Sequence, residues 1–337
     1  MDFLRITGLA ISVLSMASLV EAGQSQGAPS RGNASAMVTG GHLSVASSIR
    51  DVLNHPAFAG HGRLILPWDD RAYEEDTRLS NIASLLPYHS HVSPDVVVAA
   101  LNHMIDDVNS GKTIFFDFYT EAEKRAEPSK QNTGLFFVRG KVGAPFAIVA
   151  PGGGFSYVGS VHEGFPYAVE ISRKGYNALV LKYRAGHGSA AATQDMAAAI
   201  SYIFNGAGTL GVSTKDYSVW GSSAGARMAA AIGSHGVSGF GSGSLPKPSA
   251  VVMAYTAHPD YSSDEPPTFA VVGERDGIAP AASMEQRIAA LRKAGTLVEY
   301  HKFRNLGHGF GLGTGTSAQG WVADAIRFWE KTMKRGS

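Results

Sequence analysis

Tyr217-Ser218-Val219-Trp220-Gly221-Ser222-Ser223-Ala224-Gly225 runs from a β-rich segment into a turn of small residues. The residues beyond it, from Ser223 to Ile232, read as a helix. A G-x-S-x-G pattern at a strand-to-helix junction is the mark of a nucleophile elbow, a turn sharp enough to lift a serine hydroxyl above the edge of a sheet. Side chains at Gly221 and Gly225 would clash with the neighbouring strand and helix, so the turn needs glycine at both. The helix amides beneath Ser223 favour negative charge. Ser222 is the competing hydroxyl, but it is not the central residue of the pattern.

Outward from the elbow the chain alternates. Short β-rich runs are expected at Thr113–Tyr119, Gly134–Val138, Pro145–Ala150, Asn177–Tyr183, Tyr217–Trp220, Ala250–Tyr255, Thr268–Val272 and Leu297–Phe303. From the third run onward they alternate with helical stretches at Glu163–Lys174, Ala190–Phe204, Ser223–Ile232, Ala281–Ala294 and Ser317–Met333. Continuous apolar strands separated by helices imply an α/β fold, a mostly parallel central sheet with helices on both faces. The first two runs follow one another without a helix, so they are expected to pair antiparallel at one edge. Upstream, Ser93-Pro94 caps an amphipathic helix through Val96–Val98, Leu101, Met104 and Ile105. The rest of 41–112 has no clean period and reads as an N-terminal extension, a candidate lid or cap, ahead of a catalytic domain over 113–337. Gly233–Pro248, rich in Gly and Ser, reads as a flexible loop.

A serine hydroxyl needs a base, and the base needs an orienting group. In folds of this kind the chain order is Ser, then Asp or Glu, then His. Four histidines follow Ser223: His235 in the Gly/Ser-rich loop, His258 after a strand, His301 within a strand, and His308 in Asn305-Leu306-Gly307-His308-Gly309-Phe310-Gly311. His308, flanked by glycine between the last strand and last helix, is the expected base. The acid is expected where Thr268–Gly273 ends in Glu274-Arg275-Asp276-Gly277. Asp276 is the first choice, Glu274 the alternative, and Asp260 comes one strand too early. Ala147–Ala150 runs into Pro151-Gly152-Gly153-Gly154-Phe155, whose tandem glycines can turn backbone amides toward a developing oxyanion. Gly153, Gly154 and Ala224 are the expected donors. A nucleotide loop is excluded, because neither G-K-[S/T] nor a pre-helical G-x-G-x-x-G is present.

Taken together, Pro151-Gly152-Gly153-Gly154-Phe155, His162-Glu163-Gly164, Ala178-Leu179-Val180-Leu181-Lys182-Tyr183-Arg184, Gly221-Ser222-Ser223-Ala224-Gly225 and His308-Gly309-Phe310-Gly311 resemble the bacterial acetylxylan and feruloyl esterase-like branch of the α/β-hydrolase serine esterases. The resemblance spans roughly Thr133 to Lys334. It implies acyl-enzyme catalysis on a carboxylic ester with no metal and no cofactor, on short-chain acyl or polysaccharide-linked esters. Three features depart from it: Pro151 stands where related enzymes often have His, Ser222 is smaller than usual, and Ala226 replaces a glycine. A serine peptidase, an acyltransferase and a non-catalytic exported binding protein are the alternative readings.

Composition narrows the classes further. The 337 residues carry a formal net charge of +1, with 44% hydrophobic and 17% charged residues and no cysteine. Scattered lysine and arginine exclude a nucleic-acid surface, and the missing cysteine excludes disulfides and thiolate chemistry. Arg5, the apolar run Ile6–Val20 and then Ala22 match a secretory signal peptide over 1–22, cleaved after Ala22 or Ala28, followed by a polar linker over 23–40. The run is shorter than the ~20 residues that span a bilayer. Export to the periplasm or beyond, without stable membrane insertion after processing, is therefore expected. Glu163 reads as a first-turn partner of the helix dipole, and His89-Ser90-His91 as a surface loop rather than a metal site. Trp68, Tyr73 and Tyr88 read as packing aromatics, with stacking on a sugar or aromatic acyl group as the alternative.

Overall fold

The continuous apolar runs in the middle of the sheet become strands buried on both sides, while the first and last strands stay half-buried. The computed structural model describes residues 40–334, so the expected signal peptide and all but the last residue of the linker lie outside the described residues. Eight strands form one sheet: β1 (Phe115–Phe116), β2 (Gly134–Val138), β3 (Pro145–Ala150), β4 (Asn177–Lys182), β5 (Ser213–Ser222), β6 (Ala250–Ala254), β7 (Thr268–Gly273) and β8 (Val298–Phe303), in the order β1-β2-β4-β3-β5-β6-β7-β8. β1 and β2 pair antiparallel, as does β2 with β4, and every other pairing is parallel.

The period of two along each strand divides the core. Phe136, Val138, Ala147, Val149, Ala178 and Val180 face one layer, while Leu135, Phe137, Ile148, Leu179 and Leu181 face the other. The helices Pro94–Asn109, Phe165–Arg173 and Trp321–Met333 cover the first face. Gly188–Asn205, Ala224–His235 and Ala281–Lys293 cover the second. The segment expected as an extension adds Ile49, Val52, Phe58, Ile65 and Leu79 to the first layer. It is also tied down electrostatically: Lys182 at the end of β4 is fully buried and pairs with Asp69 at 2.9 Å.

Three local expectations change. β1 shrinks to two residues because Thr120 opens a helix, Glu121–Ala126, through a reciprocal capping box with Glu123. A helix and a 3-10 turn, Pro128–Asn132, therefore separate β1 from β2. The Gly/Ser-rich stretch is also less irregular than expected. The helix continues to His235, and a 3-10 turn follows at Val237–Phe240.

The elbow glycines set how closely strand and helix approach. A Cβ on Gly225 would lie 1.8 Å from the Ala150 carbonyl oxygen, and one on Gly221 would lie 2.2 Å from that of Gly225. Both contacts are with backbone atoms, so no side-chain rotation can relieve them. Gly225→Ala is expected to destabilise the fold by more than ~3 kcal/mol. Thermal denaturation checks this, and a melting midpoint within a degree of wild type would show that the elbow has more room than these distances allow.

Candidate active site

Ser223 sits directly after β5 and before the helix Ala224–His235, with φ 52° and ψ −114°. A non-glycine residue in that region carries strain of order 1–3 kcal/mol, and the surrounding backbone enforces it. The Ser223 N–H donates to the Ala254 carbonyl at 2.8 Å, which ties the turn to β6. The hydroxyl is thereby held at the sheet's carboxyl edge. Ser222 points the other way, buried, its hydroxyl donating to the Tyr167 hydroxyl at 3.2 Å.

The residues expected beside Ser223 come together. His308 Nε2 lies 2.8 Å from Ser223 Oγ, and His308 Nδ1 lies 2.7 Å from Asp276 Oδ2. The other oxygen of Asp276 accepts the N–H groups of Ile278 and Ala279, at 2.9 and 2.7 Å. Those two bonds fix the carboxylate's rotation, so one oxygen faces the imidazole. A hydroxyl, an imidazole and a carboxylate in this order can pass a proton from oxygen to nitrogen while the acid holds the ring's tautomer. Glu274 takes no part; it accepts the Asn305 N–H at 3.1 Å.

A cavity of about 220 Å³ opens over Ser223 and His308, with Gly154, Phe155 and Ala224 in its wall. Among the described residues, the N–H groups of Gly153, Gly154 and Ala224 have no protein acceptor. Gly154 and Ala224 face the cavity, whereas Gly153 is not part of its lining. The Gly153 backbone is folded back on its own turn, φ 134°, and its carbonyl accepts from Ser156 at 3.0 Å. A Cβ there would meet the Tyr157 carbonyl oxygen at 2.1 Å, so only glycine fits.

Behind this front layer is a buried polar group that sequence reasoning missed. Glu163, expected to be a helix-dipole partner, is 0% exposed and lies in a π-helical turn. Its carboxylate accepts the Gly152 N–H at 2.7 Å and the Tyr255 hydroxyl at 2.5 Å, and lies 3.2 Å from His89 Nε2. Burial by itself would push this carboxyl up. The His89 charge and hydrogen bond, with His162 and the Tyr255 hydroxyl, outweigh burial and hold it at about 2. Burial, reinforced by His89, pushes the neighbouring His162 down to about 4. The Tyr255 ring meets His308 edge-on at 5.0 Å. Glu163 therefore touches both the glycine loop and the tyrosine whose ring packs against His308.

His89-Ser90 is likewise not the expected surface loop. The His89 side chain is only 2% exposed. Ser90 donates its hydroxyl to the His308 carbonyl at 2.6 Å and its N–H to that of Gly309 at 2.9 Å. Gly309, at φ 69°, has room for no Cβ because Tyr88 O would lie 2.5 Å away. Trp68 and Tyr73 are packed and hydrogen-bonded, as expected. Tyr88 stacks on Tyr157 yet remains 43% exposed beside Gly154.

The remaining candidates lie elsewhere. His235 pairs with Asp260 at 2.7 Å, and His301 with Glu299 at 3.0 Å. Among the described residues, no group of three or more His, Asp or Glu is placed to hold a metal ion. A wider groove of about 510 Å³ beside Tyr119 contains charged groups already paired with one another, Arg184 with Glu127 and Lys130 with Glu127. It holds no nucleophile poised on a base.

Two family models match successive parts of the chain. Residues 139–242 match the BD-FAE family, and residues 246–336 match the prolyl oligopeptidase family. The first contains the glycine loop and Ser223, the second Asp276 and His308. No curated protein sequence matches. Among solved structures, the chain is similar to MGS-M1, an α/β-hydrolase enzyme from a Medee basin deep-sea metagenome library, at 24% identity and TM-score 0.53, covering 60% of this chain and 93% of that one. It is similar to an acetyl ester-xyloside bifunctional hydrolase from Caldicellulosiruptor lactoaceticus at 21% identity and TM-score 0.54, covering 64% and 95%. A carboxylesterase, Cest-2923 from Lactobacillus plantarum, matches at 19% identity and TM-score 0.51, covering 59% and 92%.

Proposed function

We propose that this chain, which has the α/β-hydrolase fold, is a serine carboxylic-ester hydrolase working through an acyl-enzyme. The observation that carries the reading is the unbroken line from Ser223 Oγ through His308 to Asp276, opening on a small cavity. Ser223 attacks the ester carbonyl carbon while His308 Nε2 takes the hydroxyl proton. The charge that develops on the carbonyl oxygen is met by backbone amides, Gly154 and Ala224 at the cavity wall with Gly153 behind them. Collapse breaks the bond to the alcohol oxygen, and that alcohol leaves with the proton from His308. Water then enters, gives a proton to His308 and attacks the acyl carbon. The acid departs as Ser223 regains its proton. Asp276 keeps Nδ1 protonated throughout, so that Nε2 is the free base, and stabilises the imidazolium.

The cavity's volume favours small acyl groups. At about 220 Å³ it is below the roughly 300–1,000 Å³ of pockets that enclose drug-sized ligands. Short-chain acyl or polysaccharide-linked esters are the proposed substrates, and likeness to an acetyl ester-xyloside hydrolase supports the second. An exported location, from the sequence over 1–22, suits a polymeric substrate. The match of 246–336 to the prolyl oligopeptidase family favours a peptidase as the second reading.

Hydrolysis of p-nitrophenyl acetate, butyrate and octanoate, beside a peptide p-nitroanilide, tests both. We expect acetate and butyrate to be turned over, with kcat/KM for octanoate lower by about tenfold or more. Cleavage of the anilide with inert esters would overturn the ester reading.

A further inference from the structure

The catalytic cavity has one charged group in its wall that the proposed mechanism does not use. Arg227 lies one turn beyond Ser223 on the helix Ala224–His235 and lines the cavity with Phe155, Tyr255 and Ile278. It is exposed, and no Asp or Glu shares that lining. Among the described residues its guanidinium has no carboxylate partner, unlike Arg184, which pairs with Asp195, and Arg287, which pairs with Glu265. The acids nearest the chemistry are already committed. Asp276 is occupied by His308 and two backbone amides, and Glu163 is sealed behind the glycine loop.

The helix end adds positive character, and the acid whose charge reaches the adjoining His258, Asp260, is paired with His235 at 2.7 Å. Arg227 sits on the first turns of a helix whose amino end points at Ser223, where the helix dipole favours anions. His258, the nearby titratable ring, has both nitrogens buried without a hydrogen-bond partner. Burial first, then the charges of Arg287 and Arg227, hold it down to about 4, so it stays neutral at working pH. An unpaired arginine has the planar, forked geometry that suits a carboxylate.

Resting on the esterase reading, we propose that Arg227 selects esters that carry an anionic group a few bonds from the scissile carbonyl. Its guanidinium pairs with a carboxylate on the substrate when the carbonyl carbon is at Ser223 Oγ. A carboxylate on the acyl half and one on the alcohol half share this chemistry, and matched probes separate them. The mono-p-nitrophenyl ester of glutaric acid is compared with p-nitrophenyl valerate for the acyl half. The acetate of 3-carboxy-4-nitrophenol is compared with p-nitrophenyl acetate for the alcohol half.

The quantity read is the ratio of kcat/KM, anionic over neutral, in wild type, Arg227→Gln, Arg227→Glu and Arg227→Lys. For at least one pair the ratio is expected to fall about tenfold in Arg227→Gln, to fall further in Arg227→Glu and to be largely kept in Arg227→Lys. Raising ionic strength should shrink the wild-type ratio, because an exposed pair is screened within about 8–10 Å. Ratios that agree within twofold between wild type and Arg227→Gln for both pairs would overturn the proposal. Neutral-ester turnover that disappears in Ser223→Ala then leaves the esterase reading standing while this inference fails. A wild-type protein inert on every ester removes both.

Discussion

Replacing Ser223 by alanine is expected to lower kcat on p-nitrophenyl acetate by at least about 10⁴-fold, with no loss of fold. The loss is large because, among the described residues, the hydroxyl hydrogen-bonded to His308 Nε2 is that of Ser223, at 2.8 Å. Ser222 is turned into the protein against Tyr167 and cannot substitute. Removing His308 as well should cost little more, since members of such a unit act together and their effects do not add. A fluorophosphonate probe should label wild type and not Ser223→Ala. Ser223→Gly separates chemistry from strain. It loses the same activity but relieves a residue held at φ 52°, so it is expected to melt higher than Ser223→Ala. Retention of more than about a tenth of the activity in Ser223→Ala would move the nucleophile elsewhere.

The front layer of this site was legible because each part is a local pattern. The elbow needs glycine on both sides of Ser223 for reasons of close approach, and those glycines appear in the sequence beside a β-rich run. His308 stands out because glycines flank it in the loop after the last strand, and Asp276 because it lies in the turn directly after an apolar strand. The strands themselves follow from apolar runs too short for helices. What could not be read were contacts between segments with no shared local pattern. His89 and Glu163 are far apart in sequence, and each alone resembles an ordinary polar residue. One signal was available: Glu163 lies among Val161, Gly164 and Phe165, all buried, and a carboxylate in such company needs donors. The misjudged β1 had a signal too, since Thr120 and Glu123 form a capping box that stops the strand and starts a helix. The position of Gly153 behind the cavity wall depends on backbone angles that a run of three glycines leaves open.

Glu163→Gln is expected to weaken both the fold and the chemistry, through different contacts. The carboxylate is held at about 2 against an ordinary 4.5, a difference worth about 3 kcal/mol at neutral pH. Glutamine keeps the shape but offers one acceptor oxygen where the carboxylate meets Gly152, Tyr255 and His89, and its amide sets donor against donor. A loss of about 3 kcal/mol in denaturant unfolding at pH 7 follows. The pH dependence has a definite sign. A carboxyl whose folded value is depressed stabilises fully above its unfolded value and loses that contribution as pH falls toward the folded one. The gap between wild type and Glu163→Gln should therefore be widest above about pH 5 and close between pH 5 and 2. Catalysis gives the second readout. In the proposed mechanism Glu163 acts as a positioning residue: it accepts from the Gly152 amide at the root of the glycine loop and from the hydroxyl of Tyr255, whose ring packs against His308. Loosening these at a temperature where the variant is fully folded should lower kcat by about tenfold with KM little changed, because the contacts act on the reacting groups and not on the bound ester. Glu163→Asp keeps the charge and should recover part of kcat. A Glu163→Gln protein that is destabilised yet keeps wild-type kcat would make Glu163 a strut of the fold and nothing more.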